Sequence, residues 1–183
     1  MTSKIYSIIK FFLIIFFTIG ITMNANANDE DILLLELKDG MVTIQMKPEV
    51  APNHVARIKE LVREEFYDGL TFHRVIAGFM AQTGDPKGNG TGGSGQNINA
   101  EFNNERHLRG TLSMARARDP NSADSQFFIC FDDAPHLNGQ YTVWGQVIDG
   151  MDFVDSLKKG EGNNGSIIGE PDKIITIKIK ADL

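Results

Sequence analysis

The chain has 183 residues, 42% of them hydrophobic, and a formal net charge of −6, which is ordinary for one soluble domain with its own core. The acidic balance opposes nonspecific binding to nucleic acid or to an anionic membrane. One cysteine, Cys130, excludes an intramolecular disulfide, so stability is expected to come from packing rather than cross-links.

Residues 1–27 read as an export signal. Lys4 and Lys10 precede the apolar run Phe11 to Met23, and Ala25-Asn26-Ala27 supplies the small residues that signal peptidase accepts. Cleavage after Ala27 would leave Asn28 as the first mature residue and place the protein in a periplasm or outside the cell. The rival reading, an uncleaved anchor, needs an apolar run of roughly 20 residues, and this one is shorter. The segment holds two lysines and no acid, so its loss makes the remaining domain, 28–183, still more acidic. Stable membrane insertion after cleavage is not expected, and a monomer is.

Ile32 to Leu37 and Met41 to Met46 are apolar runs joined by Lys38-Asp39-Gly40, a hairpin signal. Pro52 suits a first helical position, and Val55, Ile58, Val62 and Phe66 recur at three- and four-residue spacing, predicting a helix over 52–65 with one apolar face. Short strands follow at 70–75, 79–82, 111–115, 127–131, 143–147 and 174–179. A second helix is predicted over 151–158, with Phe153, Val154 and Leu157 as its stripe and Gly160 beyond its end. Many strands with two helices point to a closed or nearly closed β architecture in a single domain.

Several chemistries find no support in the sequence. Gly88-Asn89-Gly90-Thr91-Gly92-Gly93 has the spacing of a dinucleotide loop, but no helical period follows to meet a pyrophosphate. These glycines suit tight turns and close backbone approach beside a groove. His54, His73, His107 and His136 form no metal-binding spacing, and Ser113, Ser122 and Ser125 lack a nucleophile elbow. Asp68, Asp85 and Asp124 flank turns, where a carboxylate caps backbone N–H groups. Cys130 sits within an apolar run, as a buried inert thiol would. No cofactor and no metal are expected.

In Phe72 to Gln82, Arg74 and Gln82 stand among apolar side chains at strand-like spacing, and Ser125-Gln126-Phe127-Phe128-Ile129 repeats the mixture. A shallow apolar groove with a few fixed polar groups suits an extended peptide. Taken alone, Arg74 could equally be a surface arginine paired with an acid. The words Tyr67-Asp68-Gly69-Leu70-Thr71-Phe72-His73-Arg74, Gly78-Phe79-Met80-Ala81-Gln82, Asn89-Gly90-Thr91-Gly92-Gly93, Leu112-Ser113-Met114-Ala115 and Ser125 to Ile129 strongly resemble the cyclophilins, peptidyl-prolyl cis-trans isomerases. The likeness runs from Ile32 almost to the C-terminus.

That resemblance implies a mainly β fold, a closed eight-stranded antiparallel barrel capped by two α-helices, with a peptide groove on its outer face. It implies that Arg74 is the catalytic arginine and that Phe79, Met80, Phe128 and Leu137 hold the substrate proline ring. Gln82 and the backbone around Ala115, Arg116 and Ala117 would bind the peptide main chain, with Gln126 beside them. The chain departs from the family pattern at three groove positions. His136 stands where cyclosporin-sensitive members have tryptophan, Tyr141 where the family has a histidine, and Arg116 where it has an asparagine. Weak cyclosporin binding is the expectation, and substrate preference is open at Arg116.

The function this implies is acceleration of rotation about X-Pro bonds, assisting the folding of exported proteins, with proline-containing peptides as partners. The competing expectation is a chaperone-like module that binds proline-containing segments with little turnover. Arg74 and Gln82 favour the enzyme, since a pure binder has no need of a charge aimed at the proline nitrogen.

Overall fold

The computed structural model describes residues 28–183; the expected signal segment, 1–27, lies outside the described residues. β1 (Ile32–Leu37) and β2 (Gly40–Met46) form the opening hairpin, in register from Ile32 opposite Gln45 to Leu37 opposite Gly40. Glycine is required at 40 for space, because a Cβ there would lie 2.5 Å from the ring of Phe153. α1 (Pro52–Arg63) begins on its proline and buries Val55, Ile58, Leu61 and Val62. It stops two residues short of the predicted end, where Glu65 takes a left-handed φ of 56° that breaks the helical repeat.

The remaining strands are β3 (Arg74–Ile76), β4 (Met80–Thr83), β5 (Thr111–Met114), β6 (Phe127–Cys130), β7 (Val143–Asp149) and β8 (Thr176–Ile179), with α2 (Met151–Asp155) before the last. All eight strands pair antiparallel in one sheet, ordered β3-β4-β6-β5-β7-β2-β1-β8. The mainly β class, the eight antiparallel strands and the two helices are as expected; the closed barrel is not. The sheet is open, with β3 and β8 as unjoined edges.

The reason lies in what occupies those edges. The outer edge of β3 is taken by a loop: Val75 N–H donates to Gly165 O (2.8 Å) and Gly160 N–H to Val75 O (2.8 Å). Residues 70–72, expected to begin the third strand, instead exchange bonds with the segment leading to β8, Phe72 N–H to Asp172 O and Ile174 N–H to Leu70 O, both 2.9 Å. Irregular chain thus uses the edge groups that a closing ladder would need, and so also keeps them from pairing with another molecule. α2 is shorter than predicted. Ser156 Oγ lies 2.8 Å from both Phe153 O and Asp39 Oδ2, sharing its one proton between them, a local bond that competes with continuing the helix.

Alternation along the strands divides the apolar residues between two faces. Leu33, Leu35, Val42, Ile44, Leu112, Met114, Phe127, Ile129, Ile177 and Ile179 join the buried face of α1 in the main core, with Trp144 fully enclosed among them. The intervening residues of β4 and β6, Met80, Phe128 and Cys130, form a second, smaller cluster with Ala134 and Leu137. β6 is therefore buried along both faces, and the second cluster floors the groove.

Candidate active site

The hairpin of β3 and β4 sets the polar groups of the groove. Its register places Arg74 opposite Gln82, with Gly78 at φ 69° in the turn between. The Arg74 guanidinium is held at three points: Nε donates to Asn164 O (2.9 Å), and Nη1 donates to Gln82 Oε1 (3.1 Å) and touches the Met80 sulfur (3.9 Å). Gln82 Nε2 donates to Gln126 Oε1 (2.9 Å), and Gln126 Nε2 donates to Gly92 O (2.7 Å). This relay fixes both amides, since each has its oxygen accepting and its nitrogen donating. Burial lowers the Arg74 pKa, opposed by Tyr141, but arginine stays charged through the physiological range.

A recess of about 180 Å³ beside the guanidinium is lined by Arg74, Phe79, Met80, Gln82, Ala115, Arg116, Phe128, Leu137 and Tyr141. The structure thus gathers most of the expected site residues into one pocket. A second, larger pocket of about 390 Å³ adjoins it, formed by the glycine-rich loop at 90–93 with Asn97, Ala117, Ser122, Asp124 and Gln126. Gln82, Ala115 and Arg116 line both and form the saddle between them. His136 lines neither pocket; it is exposed, and its ring lies 5.4 Å from that of Phe79, which does line the recess.

The walls are built from the chain's departures as much as from its regular features. Phe128 is stacked on His107 (6.1 Å, 16°) and met edge-on by Tyr141 (6.0 Å, 80°), and the Arg116 guanidinium covers Tyr141 at 4.6 Å. His107 Nε2 lies 3.0 Å from Ser113 Oγ, and its Nδ1 lies 3.0 Å from Asn138 Oδ1. That trio has the spacing of a nucleophile and its base, but Ser113 is fully buried and also meets Thr142 O at 2.9 Å. With no route for substrate to the hydroxyl, the trio buttresses Phe128.

The expected capping roles of the carboxylates are present. Asp85 accepts from the N–H groups of Lys87, Asn89 and Gly90 (2.8, 3.0 and 2.6 Å); burial alone would raise its pKa, but these backbone donors hold it below the ordinary range. Asp124 accepts from Ser94 N–H (2.9 Å), the Ser94 hydroxyl and Gly95 N–H (2.8 Å). Glycine is needed between these two anchors, since a Cβ at Gly92 would lie 2.1 Å from Asp85 Oδ1 and one at Gly93 2.4 Å from Asp124 Oδ2. Asp68 reaches further than a turn, accepting from Ile177 N–H on β8 (3.0 Å). The Cys130 thiol is fully buried, and burial pushes its pKa up to about 12, as an inert thiol requires.

Sequence reasoning missed two contributors. Asn164, whose carbonyl aims Arg74, sits 90 residues away in Gly162-Asn163-Asn164-Gly165, which marks a turn but gives no sign of what that turn meets. His107 supports Phe128 from beneath, and nothing in its neighbours announces that. Among the described residues no group of three or more His, Cys, Asp or Glu is placed to hold a metal ion, and no helix is long and apolar enough to cross a membrane.

A recess lined by Phe79, Met80, Phe128 and Leu137, with the anchored Arg74 guanidinium beside it and Arg116 on the saddle to the second pocket, has the shape and chemistry to take an extended peptide. The family described as cyclophilin type peptidyl-prolyl cis-trans isomerase/CLD matches residues 32–179, and the chain belongs to it. It is 53% identical over 178 residues to a probable peptidyl-prolyl cis-trans isomerase of Brucella suis, covering 90% of this chain and 91% of the relative. It is 47% identical over 128 residues to peptidyl-prolyl cis-trans isomerase B of Bacillus subtilis, covering 68% and 89%. Among solved structures, a cyclophilin from Hirschia baltica superposes with a TM-score of 0.76 at 29% identity, over 86% of this chain and 76% of that one. A cyclophilin-type isomerase of Cryptosporidium parvum, crystallised in the presence of the dipeptide Ala-Pro, superposes with a TM-score of 0.75 at 30% identity, covering 81% and 98%. The protein is a cyclophilin-type peptidyl-prolyl cis-trans isomerase.

Proposed function

We propose that this isomerase works on exported proteins outside the cytoplasm, with Arg74 as its catalytic group. Rotation about a peptide bond faces a barrier of about 18 to 20 kcal/mol because resonance gives the C–N bond double-bond character. Twisting removes that resonance and leaves a lone pair on the proline nitrogen. A guanidinium N–H aimed at the nitrogen stabilises the twisted state more than either planar one, which is the requirement for catalysis. The observation that carries this reading is the anchoring of Arg74: with Nε on Asn164 O and Nη1 on Gln82, its charge is fixed at the mouth of the apolar recess with no carboxylate partner among the described residues.

Each remaining residue has a part in the same act. Phe79, Met80, Phe128 and Leu137 hold the proline ring, while Gln82, Gln126 and the backbone of 115–117 hold the residues before it, so the carbonyl side turns about a fixed ring. Tyr141 walls the recess and His136 flanks Phe79 at its edge, and no closed barrel is needed, since the groove is complete on the β4–β6 side of the open sheet. The substrates are proline-containing segments of unfolded or folding chains, for which uncatalysed isomerisation limits folding. Export rests on Lys4, Lys10, the apolar run and Ala25-Asn26-Ala27, which argue for a cleaved signal and a periplasmic or secreted monomer acting as a folding helper.

The test is exchange spectroscopy on a short Ala-Pro-Phe peptide with purified protein and with Arg74→Ala. The variant should lose turnover about a hundredfold or more, the cost of removing a charged transition-state donor, while keeping its circular dichroism spectrum. Undiminished exchange would remove Arg74 from the mechanism. N-terminal sequencing of the protein from a periplasmic fraction should begin at Asn28; a cytoplasmic protein starting at Met1 would remove the export reading.

A further inference from the structure

The saddle between the two pockets carries a charge that the isomerase reaction does not call for. Arg116 is half-buried there, and its guanidinium is locked: Nε and Nη2 donate to Gln140 O (3.3 and 3.0 Å), and Nη1 donates to Ala117 O (3.0 Å) and Arg118 O (3.3 Å). Its plane lies over the Tyr141 ring. Among the described residues every one of these bonds ends on a backbone carbonyl and none on a carboxylate. A guanidinium has five N–H groups, so one is left over, and no carboxylate is bonded to the charge.

No carboxylate is bonded to it among the described residues. Asp124 is the one acid lining the second pocket, and its oxygens are bonded to Ser94 and Gly95 rather than to Arg116. In a chain of net charge −6, an immobilised arginine without an acid at the middle of the binding groove is a feature of the site rather than of the surface at large. A peptide with its proline ring in the apolar recess must pass its preceding residues over Gln82, Ala115 and Arg116 to reach the second pocket, because only those three line both.

Resting on the peptide-groove reading above, we propose that Arg116 makes this isomerase selective for substrates carrying an aspartate or glutamate within the two residues before the proline. The carboxylate accepts the free guanidinium N–H, and the charge is already fixed, so little side-chain freedom is lost when the pair forms. The pair is partly solvated, which limits it to the strength of an exposed ion pair in a favourable geometry. It acts on binding: the contact is made equally in the planar and twisted states, so it lowers KM and leaves kcat nearly unchanged.

Exchange spectroscopy on matched peptides with Glu, Gln or Lys at each of the two positions before proline tests this without a coupling protease. At low salt the Glu peptide should have a kcat/KM about threefold to fivefold above its Gln counterpart, the most a partly exposed pair supplies, with Lys lower again and the difference in KM. Raising the ionic strength to about 0.5 M should shrink the gap. Arg116→Gln should abolish the Glu over Gln preference, Arg116→Lys should retain part of it, and Arg118→Gln should leave it intact. Equal values for the three peptides in a protein that does accelerate isomerisation would overturn the selectivity alone. So would a preference that survives Arg116→Gln or collapses in Arg118→Gln. Acceleration of none of them would overturn the peptide-groove reading beneath it. Should Arg116→Gln fail to fold, the salt dependence of the wild type and the Arg116→Lys variant still decide.

Discussion

Arg74 illustrates how little of a functional residue lies in the residue itself. An arginine at the end of a three-residue strand becomes a directed charge only because Asn164 O, Gln82 Oε1 and the Met80 sulfur hold it from three sides. Gln82 in turn is aimed by Gln126, which is aimed by Gly92 O, so the relay couples Arg74 to the glycine-rich loop. His136 makes the opposite point. It stands 5.4 Å from Phe79 with its ring tilted, where a tryptophan would add an indole donor and a larger apolar face. Cyclosporin should accordingly bind well above the low-nanomolar range, and His136→Trp should tighten it by about tenfold or more, a lost neutral hydrogen bond plus contact area being worth that much. Isothermal titration of both proteins checks this, and low-nanomolar binding by the wild type would refute it.

At the scale of elements, α1 shows a helix end completed by a distant segment. Ala51 precedes the helix and offers no side-chain cap. Glu101 supplies it: Oε1 accepts from Asn53 N–H (3.0 Å) and from its amide (2.7 Å), and Oε2 accepts from His54 N–H (3.0 Å) and His54 Nδ1 (2.6 Å). A carboxylate there also meets the positive end of the helix. Burial opposes ionisation of Glu101, but the bonds from His54 and Asn53 outweigh it and lower its pKa. Glu101→Ala should therefore cost about 1 to 2 kcal/mol of stability, the range for a lost N-cap. Urea denaturation measures it, and prolyl isomerisation by the folded variant should be unchanged because Glu101 lines neither pocket.

For the whole molecule, acid stability follows from the histidines. Burial lowers the pKa of His54, His73 and His107 below the ordinary value. His54 makes the cause concrete: its Nδ1 donates to Glu101, while its Nε2 is buried with no partner among the described residues, so a second proton there would be stranded. Between the lowered folded values and the unfolded value near 6.5, the unfolded chain binds more protons than the native one, so stability rises with pH. The contribution is full above about pH 7 and is lost as pH falls through the ordinary histidine range toward the folded values. Asp85 and Glu101, both held low, add a second loss below the carboxylate range. The urea midpoint should fall between about pH 7.5 and about pH 5.5; a flat or rising midpoint would contradict the burial of these rings.

Local pattern by itself determined the opening hairpin, the proline start of α1, the number of strands with most of their ends to within a residue or two, and the buried state of Cys130, because each depends on side-chain period and near neighbours. Resemblance in five motifs carried the family and the list of groove residues. Tertiary structure alone decided that the sheet stays open, since the bonds that occupy the edge of β3 come from residues 160–165, beyond any local signal. It alone decided that Glu101 caps α1, that Asn164 aims Arg74, and that Arg116 lies locked across the saddle. Those contacts join residues 24 to 90 positions apart, and a hydrogen bond at that separation is specified by where the fold places two backbones, which no spacing along the chain records.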